Sequence, residues 1–526
     1  MMPTGYGKSA IYQIAGHLLE GPTVVVSPLI SLQLDQVRHI DASTGTADAV
    51  AVNSTQSRRR NDQAWDAVAS GEAEFVFLAP EQLAREEVVD ELVALGAGLV
   101  VVDEAHCVSA WGHDFRPDYL RLGGVIERLG GPRILALTAT GSRPVREEIV
   151  RRLGMREPRL FVRGFDRPNV HLAVVRHESE HDKERAVLDQ VVAAAKPGLL
   201  YVATRAETER TAAELERRGL RAAAYHGGLP AAERREVHER FQSDGRDGFD
   251  VVVATSAFGM GIDKPNVRFV VHADITDSID SYYQEVGRGG RDGEPADATL
   301  HYRQEDLGLR RFFAGGSPAA KSVDAVVQAL KKGGARSSSA APGPRHELGD
   351  LVERTGLSSR AVTTVVNLLI EAGLADDGAD GIALTRAVKP AEARAAIEEL
   401  AEQRRRIDES RLAMIRAYAE TLDCRRQFLL AYFGDELAEP CGNCDTCESG
   451  TAYHEKTAPA AAADADARPD AAPRASVFHE GQKVQHTAWG AGEVVSVEPD
   501  RLTVFFETEG YRVLSLEAVR EHALLR

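Results

Sequence analysis

The apolar run 99–102 ends in two carboxylates, Asp103 and Glu104, and this junction restricts the fold more than any other stretch of the chain. A short, uninterrupted apolar run is typical of a strand that is buried on both faces of a parallel sheet. A carboxylate at the C-terminal end of such a strand can hold Mg²⁺ through water, and its neighbour can orient a hydrolytic water. The junction therefore predicts an α/β fold with a polar site at one edge of a parallel sheet.

Two successive parts of the chain show the same alternation of short β-rich runs and helical stretches. The runs of the first part are 24–26, 75–78, 99–102 and 134–137. The runs of the second part are 199–202, 222–225, 251–254 and 269–272. Because this alternation is the pattern of a parallel α/β sheet, we predict two tandem lobes, residues 1–160 and 161–316, as the frame of a nucleotide-driven motor with ATP between them.

Length and composition set limits on the class of protein. At about 150 residues per domain, 526 residues predict three to four domains, and 43% hydrophobic with 27% charged residues suits a soluble globular chain. Without a run of 18 apolar residues or an N-terminal signal pattern, we expect a cytoplasmic protein with no membrane span. The net charge of −17 argues against binding nucleic acid over the whole surface, but a local basic track needs only a few Lys or Arg.

A loop rich in aromatic residues follows the acidic pair. Aromatic faces and a guanidinium are groups that bind unstacked bases and phosphates, and the loop carries Trp111, His113, Phe115, Arg116 and Tyr119. The alternative is a purely structural role, in which these aromatic residues pack on the core. The acidic segment 103–106 resembles helicase motif II, and the loop resembles the aromatic-rich loop of RecQ-family DNA helicases. This resemblance implies DNA contacts through Trp111, His113, Phe115 and Arg116.

The first residues, 3–9, resemble the helicase form of the phosphate loop. In that loop Thr4, Gly5 and Gly7 surround the phosphates, Lys8 reaches the β and γ phosphates, and the Ser9 hydroxyl ligates Mg²⁺. RecQ-like proteins have a strand and a glutamine-bearing, adenine-recognising motif before this loop. Because the chain begins at the loop, we expect its first lobe to fold poorly as written. A wrongly assigned start of the gene is one explanation for the missing strand and motif, and a degenerate protein with weakened ATP binding is the other.

The segment 284–293 resembles helicase motif VI. The resemblance implies that Arg288 and Arg291 act as arginine fingers, a device that accelerates hydrolysis by about 10³- to 10⁵-fold. The resemblance to the helicase family as a whole also implies that Gln284 and Asp263 bind the nucleotide, that Glu104 activates water and that His106 is catalytic. The segment 138–140 resembles motif III, whose hydroxyls link the nucleotide site to the DNA side.

Further segments resemble RecQ motifs that line the nucleic-acid path. Small hydroxyls, glycines and backbone N–H groups at strand ends bind phosphates without reading sequence. The resemblance implies DNA contacts for three residues in these segments, Ser31, Arg205 and Thr255. The segment 165–169 between the two lobes matches the family as well.

Four of the five cysteines lie close together, at Cys424, Cys441, Cys444 and Cys447, with sixteen, two and two residues between them. Four thiolates at such short spacing suit a closed tetrahedral Zn²⁺ site, with free thiols as the alternative. The surrounding sequence resembles the RecQ zinc-binding subdomain. We therefore predict a structural zinc module over residues 389–450.

The remaining segments are assigned from composition and pattern. We predict a linker at 317–345, a winged-helix-like segment at 346–388, a disordered tether at 451–477 and a compact β-rich module at 478–526. The winged-helix-like segment either engages duplex DNA at a fork or packs on the core, and only Arg360 is basic in its second helix. The last module resembles the Tudor-like, SH3-like barrel of UvrD-type helicases. It either docks a protein, such as RNA polymerase or a repair protein, or is an inert cap.

Taken together, the resemblance implies a bacterial ATP-dependent DNA helicase that uses ATP, Mg²⁺ and Zn²⁺. It implies 3′-to-5′ movement on single-stranded, forked or junction DNA in recombination and repair. We expect a monomer associated with the nucleoid. A catalytically impaired DNA-binding scaffold and an RNA-remodelling ATPase remain as alternatives.

Overall fold

The computed structural model describes most of the chain. The residues outside the description are 3–6, 29, 46–47, 54–55, 110–115, 117–118, 120, 163, 260–262, 309–317, 333–343, 379–380, 454–477, 480, 498–500, 507–508, 522–523 and 526. The described residues form two compact units, one of residues 6–161 with 315–405 and one of residues 162–314 with 406–526. Each unit is described by itself below.

The first lobe is built on a five-stranded parallel sheet with the order β2-β3-β1-β4-β5. The strands are β1 (Thr23–Val26), β2 (Ala49–Val52), β3 (Phe75–Leu78), β4 (Leu99–Val102) and β5 (Arg133–Ala136). The helices are Lys8–Leu18, Ile30–Thr44, Arg58–Ala69, Glu86–Leu95, Leu122–Arg128 and Arg143–Arg152. Every residue of β1, β3 and β4 is buried, as expected for strands covered on both faces.

The second lobe contains a six-stranded parallel sheet with the order β6-β11-β10-β7-β9-β8. The strands are β6 (Val170–Arg176), β7 (Gly198–Tyr201), β8 (Ala222–Tyr225), β9 (Val251–Ala254), β10 (Phe269–His272) and β11 (Ala296–Tyr302). The helices are Glu180–Ala193, Arg205–Arg217, Ala231–Gln242 and Ile279–Val286. The prediction of two parallel α/β lobes is therefore confirmed.

Sequence reasoning missed three strands of these sheets, β2, β6 and β11. β2 is a short alanine–valine run, and alanine has low strand propensity. β6 and β11 pair with each other along their whole length and carry polar residues between the apolar ones. Their pairing over a long sequence separation, rather than their local pattern, makes them strands.

The winged-helix-like part contains helices Leu348–Thr355 and Ser359–Glu371 and an antiparallel hairpin of β12 (Ala375–Gly378) and β13 (Gly381–Leu384). Ser358 caps the second helix by accepting the Ala361 N–H. The structure differs from the predicted linker at 317–345, because Ala320–Lys331 is a helix. Its apolar residues recur at helical spacing and are buried in the core of this part, namely Val323, Val326, Val327 and Leu330.

The zinc-module region contains helices Pro390–Glu420, Arg425–Phe433 and Asp445–Glu448. The C-terminal module is an antiparallel sheet, β14 (Lys483–His486), β15 (Gly490–Val497), β16 (Arg501–Phe506) and β17 (Gly510–Ser515), followed by helix Leu516–Glu521. This sheet agrees with the antiparallel part of the barrel prediction, and its described strands pair in linear order. The predicted tether falls almost entirely outside the described residues. Within the described ranges, no helix has the length and apolar character needed to cross a membrane.

Candidate nucleotide, nucleic-acid and metal sites

The phosphate-loop segment leads directly into the first helix of lobe 1. Gly7 adopts the left-handed conformation, with a φ of 75°, and the helix begins at Lys8 and Ser9. Unpaired N–H groups at a helix N-terminus favour an anion. The Lys8 ammonium is buried and has no hydrogen-bond partner among the described residues, which suits a group that binds phosphate. The predicted residues Thr4 and Gly5 lie outside the described residues.

The acidic pair lies where β4 ends. The Asp103 N–H bonds the Val26 carbonyl (2.9 Å), and its Oδ1 accepts the Glu104 N–H (3.0 Å). Burial and the Glu104 carboxylate raise the pKa of Asp103, whereas the Lys8 ammonium opposes this rise. Glu104 has a φ of 47°, a left-handed conformation that is strained for a residue with a side chain. Two neighbouring carboxylates form a donor set that fits a divalent cation.

A buried chain of polar groups continues from Glu104. His106 Nδ1 lies 3.3 Å from Glu104 Oε2 and 3.0 Å from Thr138 Oγ1. The Thr138 hydroxyl donates to the Thr140 carbonyl (2.6 Å) and accepts the Thr140 N–H (3.2 Å). A change in the position of Glu104 can therefore reach the 138–140 segment through one imidazole.

The structure describes only part of the aromatic-rich loop, because Trp111, His113 and Phe115 lie outside the described residues. Arg116 Nη1 donates to the Pro28 carbonyl (3.0 Å), which places this guanidinium beside the segment after β1. Tyr119, which the sequence analysis grouped with the base-binding aromatic residues, is only 1% exposed. Its hydroxyl donates to the Asp103 carbonyl (3.2 Å), so Tyr119 packs on the core and supports the acidic pair.

The other predicted DNA contacts follow strand ends in both lobes. Ser31 lies in helix Ile30–Thr44, directly after β1. Arg205 begins helix Arg205–Arg217, which Thr204 and Glu207 cap in a reciprocal capping box. Thr255 follows β9, and its hydroxyl accepts the Ala257 N–H (3.4 Å). These positions suit backbone-phosphate contacts, although the role of each residue stays a prediction.

The two candidate arginine fingers lie in the turn after helix Ile279–Val286. Arg288 is 1% exposed, and its Nε and Nη1 have no hydrogen-bond partner in the described part of the chain. Arg291 Nη1 pairs with Asp263 Oδ1 (2.7 Å), and burial together with the Arg288 charge lowers the pKa of Arg291 to about 10. A buried guanidinium with unused donors is a binding group for an anion such as a phosphate.

The helix before this turn carries Gln284, which was predicted to contact the nucleotide, and that role stays a prediction. Its neighbour Glu285 bonds His272 at the end of β10 (Oε2 to Nε2, 2.8 Å), and both side chains are buried. Sequence reasoning missed this pair. Its members are 13 residues apart and belong to different elements, so only the tertiary structure shows that they meet.

The four clustered cysteines converge as predicted. The Sγ atoms of Cys424, Cys441, Cys444 and Cys447 all lie within 4.8 Å of one another. Four thiolates with Zn–S distances of about 2.3 Å would have this spacing, so the cluster fits a closed tetrahedral zinc site. The Cys441 N–H bonds the Cys424 sulfur (3.3 Å), and the Asn443 N–H bonds the Cys441 sulfur (3.3 Å). Such N–H···S bonds orient the thiolates.

Two buried arginines follow Cys424, one bonded within the zinc module and the other to lobe 2, and sequence reasoning did not single them out. Arg425 forms a bidentate pair with Asp445 (2.9 and 3.1 Å). Arg426 bonds Asp166 (2.9 Å) and the Val170 carbonyl (2.6 Å). Two successive arginines within a cysteine motif could have signalled buried ion pairs, but their partners could not be inferred from sequence.

Comparisons with known proteins give consistent results. The DEAD/DEAH box helicase family matches residues 1–148, the helicase conserved C-terminal domain 182–293 and the RecQ zinc-binding family 388–448. A family described as a protein of unknown function (DUF3553) matches residues 478–522.

Individual relatives extend this similarity. The chain is 35% identical to the ATP-dependent DNA helicase RecQ of Pasteurella multocida over 448 residues, 85% of this chain and 57% of that protein. It is 31% identical to the probable ATP-dependent DNA helicase RecS of Bacillus subtilis, over 85% of this chain and 84% of that protein. The chain thus spans less than two thirds of the RecQ relative's length. The solved structure of Mycobacterium smegmatis helicase Lhr bound to ssDNA and AMP-PNP aligns with 76% of this chain and 57% of that chain. The two chains are 20% identical, with a TM-score of 0.46.

Proposed function

The chain belongs to the RecQ family of DNA helicases, and on that premise we propose that it is an ATP-dependent helicase that moves 3′ to 5′ on forked or junction DNA. One observation carries the proposal. The buried Lys8 ammonium, which has no hydrogen-bond partner among the described residues, lies close enough to Asp103 to oppose the rise in its pKa. A cation beside a carboxylate pair at a parallel sheet edge is the arrangement that Mg²⁺-dependent phosphoryl transfer needs.

In the proposed mechanism each residue has a separate task. Lys8 binds the terminal phosphates, and Ser9 and Asp103 are the residues that would hold Mg²⁺, which would neutralise phosphate charge. Glu104 accepts a proton from the attacking water. Arg288 and Arg291 neutralise the charge that develops on the γ-phosphate.

DNA binding is coupled to this chemistry through the loop that follows the acidic pair. The Arg116 N–H bonds the Cys107 carbonyl (3.0 Å), so the loop joins the 105–108 turn directly. His106 lies in that turn and contacts both Glu104 and Thr138. We infer that bases stacked on Trp111 and Phe115 shift this turn and thereby place Glu104 for catalysis.

The direct test is ATP hydrolysis with and without single-stranded DNA. We expect DNA to raise kcat for the wild-type chain, and we expect Trp111→Ala with Phe115→Ala to abolish that increase while leaving the basal rate unchanged. The matched control is Trp65→Ala, because Trp65 is a partly buried indole of helix Arg58–Ala69 that packs on the lobe 1 core. Equal rates with and without DNA for the wild-type chain would contradict the proposal.

The same assay separates the alternatives. An RNA-remodelling ATPase would respond to RNA rather than DNA, and a non-catalytic scaffold would bind DNA without hydrolysing ATP. The aromatic-rich loop and the zinc cluster belong to segments that resemble RecQ proteins, which favours DNA. We further propose that the protein acts as a cytoplasmic, nucleoid-associated monomer.

We also propose that residues 478–526 bind a protein partner, such as RNA polymerase or a repair protein. The module has its own apolar core, which includes Val494, Val504 and Phe506. It is anchored to the rest of its unit by several contacts: Tyr511 packs on Tyr432 (ring centroids 5.6 Å apart), the Tyr511 N–H bonds Ser410 Oγ (2.5 Å), and Glu509 pairs with Arg406 (3.1 Å). A separately folded, anchored module is suited to docking rather than to catalysis.

Deletion of residues 478–526 is expected to leave DNA-stimulated ATP hydrolysis intact and to remove a specific partner from pull-down experiments. Because the deletion also uncovers Tyr432, the control is Tyr511→Ala, which removes this ring contact but keeps the module. Purified RNA polymerase is the first candidate to test by direct binding. If the full chain and the deletion variant capture the same proteins, the docking role is wrong.

A further inference from the structure

The turn 287–291 of lobe 2 holds two guanidinium groups in a buried setting. Arg288 is 1% exposed, and the Arg291 side chain is 7% exposed. Their mutual repulsion contributes to the lowered pKa of Arg291. Two like charges held together out of water tend to separate, so other groups must fix the backbone that carries them.

Arg167 supplies that support from the segment before β6. Its Nη1 donates to the Gly287 carbonyl (3.2 Å), and its Nη2 donates to the carbonyls of Gly289 (2.7 Å) and Gly290 (2.8 Å). These carbonyls follow helix Ile279–Val286, where the last C=O groups lack helical partners and carry the negative end of the helix dipole. One planar guanidinium thus satisfies three carbonyls of the turn that carries both arginines.

Asn169, two residues after Arg167, also bonds this turn. Its Nδ2 donates to the carbonyls of Gly290 (2.8 Å) and Glu294 (2.8 Å). Gly290 has a φ of 57°, and a Cβ there would lie 2.5 Å from Asn169 Nδ2. The close approach of segment and turn therefore requires glycine at this position.

The segment 166–170 is itself held by the zinc module. Arg426 bonds Asp166 and the Val170 carbonyl, and Asn443 Nδ2 donates to the Pro168 carbonyl (2.8 Å). Arg167 lies between these anchored points. It also adds a third positive charge near Arg291, which contributes to lowering the pKa of that residue. Its value to the turn therefore lies in the geometry of its donors rather than in its charge.

We propose that Arg167 is a positioning residue for ATP hydrolysis, which orients Arg288 and Arg291 by holding the carbonyls of Gly287, Gly289 and Gly290. The inference rests on the proposed function, because it assigns the two arginines to the reacting phosphate. All three of these hydrogen bonds from Arg167 go to backbone carbonyls of the turn. Lysine cannot replace it, because a single ammonium lacks the planar fork that serves three acceptors.

The test compares Arg167→Lys and Arg167→Ala with the wild-type chain in DNA-stimulated ATP hydrolysis. We expect both variants to lower kcat by about 10²-fold, the loss that small displacements of catalytic groups cause, with KM for ATP unchanged. The matched control is Arg221→Lys, a half-exposed arginine of the same lobe whose Nε and Nη2 bond Asp250. That control should keep the wild-type kcat.

Hydrogen exchange provides a readout that does not depend on activity. The N–H groups of Gly290 and Asp292 bond the carbonyls of Val267 (2.8 Å) and Pro265 (3.1 Å), so their exchange reports opening of the turn. We expect faster exchange at these amides in Arg167→Lys. If the wild-type chain does not hydrolyse ATP, the proposed function fails and the exchange measurement still tests Arg167. Wild-type kcat in Arg167→Lys, a change confined to KM, or unchanged exchange would overturn the inference.

Discussion

Replacing Arg288 by alanine is expected to lower kcat for ATP hydrolysis by about 10³- to 10⁵-fold, the range known for arginine fingers. The reason is the state of this side chain in the structure. Arg288 is buried, and its Nε and Nη1 have no hydrogen-bond partner within the described residues. Leaving such donors buried and unpaired destabilises a fold, so their retention indicates a ligand that binds them.

The burial of Arg288 also predicts how the melting temperature responds to the Arg288→Ala substitution. Removing an incompletely paired buried charge should not lower the melting temperature as the loss of a structural ion pair would. Arg425→Ala is the matched comparison, since Arg425 is equally buried but forms a bidentate pair with Asp445. We expect Arg288→Ala to lose activity and keep stability, and Arg425→Ala to lose stability. Thermal melting and steady-state kinetics on both variants measure this contrast. Normal hydrolysis by a folded Arg288→Ala variant would rule out the arginine-finger role.

Removal of zinc is expected to unfold the module around Cys424, Cys441, Cys444 and Cys447. Structural zinc sites of this kind contribute about 10–16 kcal/mol of binding free energy, which is also folding free energy. Cys444→Ser should therefore lose the bound metal and melt in a separate, lower transition. Because Arg426 and Asn443 of this module hold the 166–170 segment, we expect the melting of lobe 2 to follow.

The fifth cysteine provides the control for this experiment. Cys107 is buried in the lobe 1 core and lies outside the four-cysteine cluster. Cys107→Ser should keep about one zinc per chain, measured by elemental analysis, and a single-step melt of the zinc module. A zinc-free preparation of the wild-type chain with unchanged melting would show that the four thiols do not form a structural metal site.

Most of the architecture follows from local sequence pattern. Runs such as 75–78 and 99–102 could become strands only in a sheet covered on both faces, because neither run contains polar residues that could face solvent. The spacing of the four cysteines along the sequence was enough to predict a metal site. The helix Ala320–Lys331 was not predicted, because the low-complexity sequence that follows it indicated a linker, although the valines of the helix have helical spacing.

The sequence by itself therefore predicted the chemical groups of the candidate sites: a phosphate loop at Lys8, an acidic pair at Asp103 and Glu104, and a four-thiol cluster. Each of these is a short contiguous motif or spacing, and its chemistry depends on residue type. The tertiary structure alone decided that Tyr119 is a core residue, that Arg288 is buried with its Nε and Nη1 unpaired among the described residues, and that Arg426 reaches Asp166 across 260 residues of sequence. Burial and long-range partners depend on how distant segments pack together, and no local pattern of residues encodes that packing.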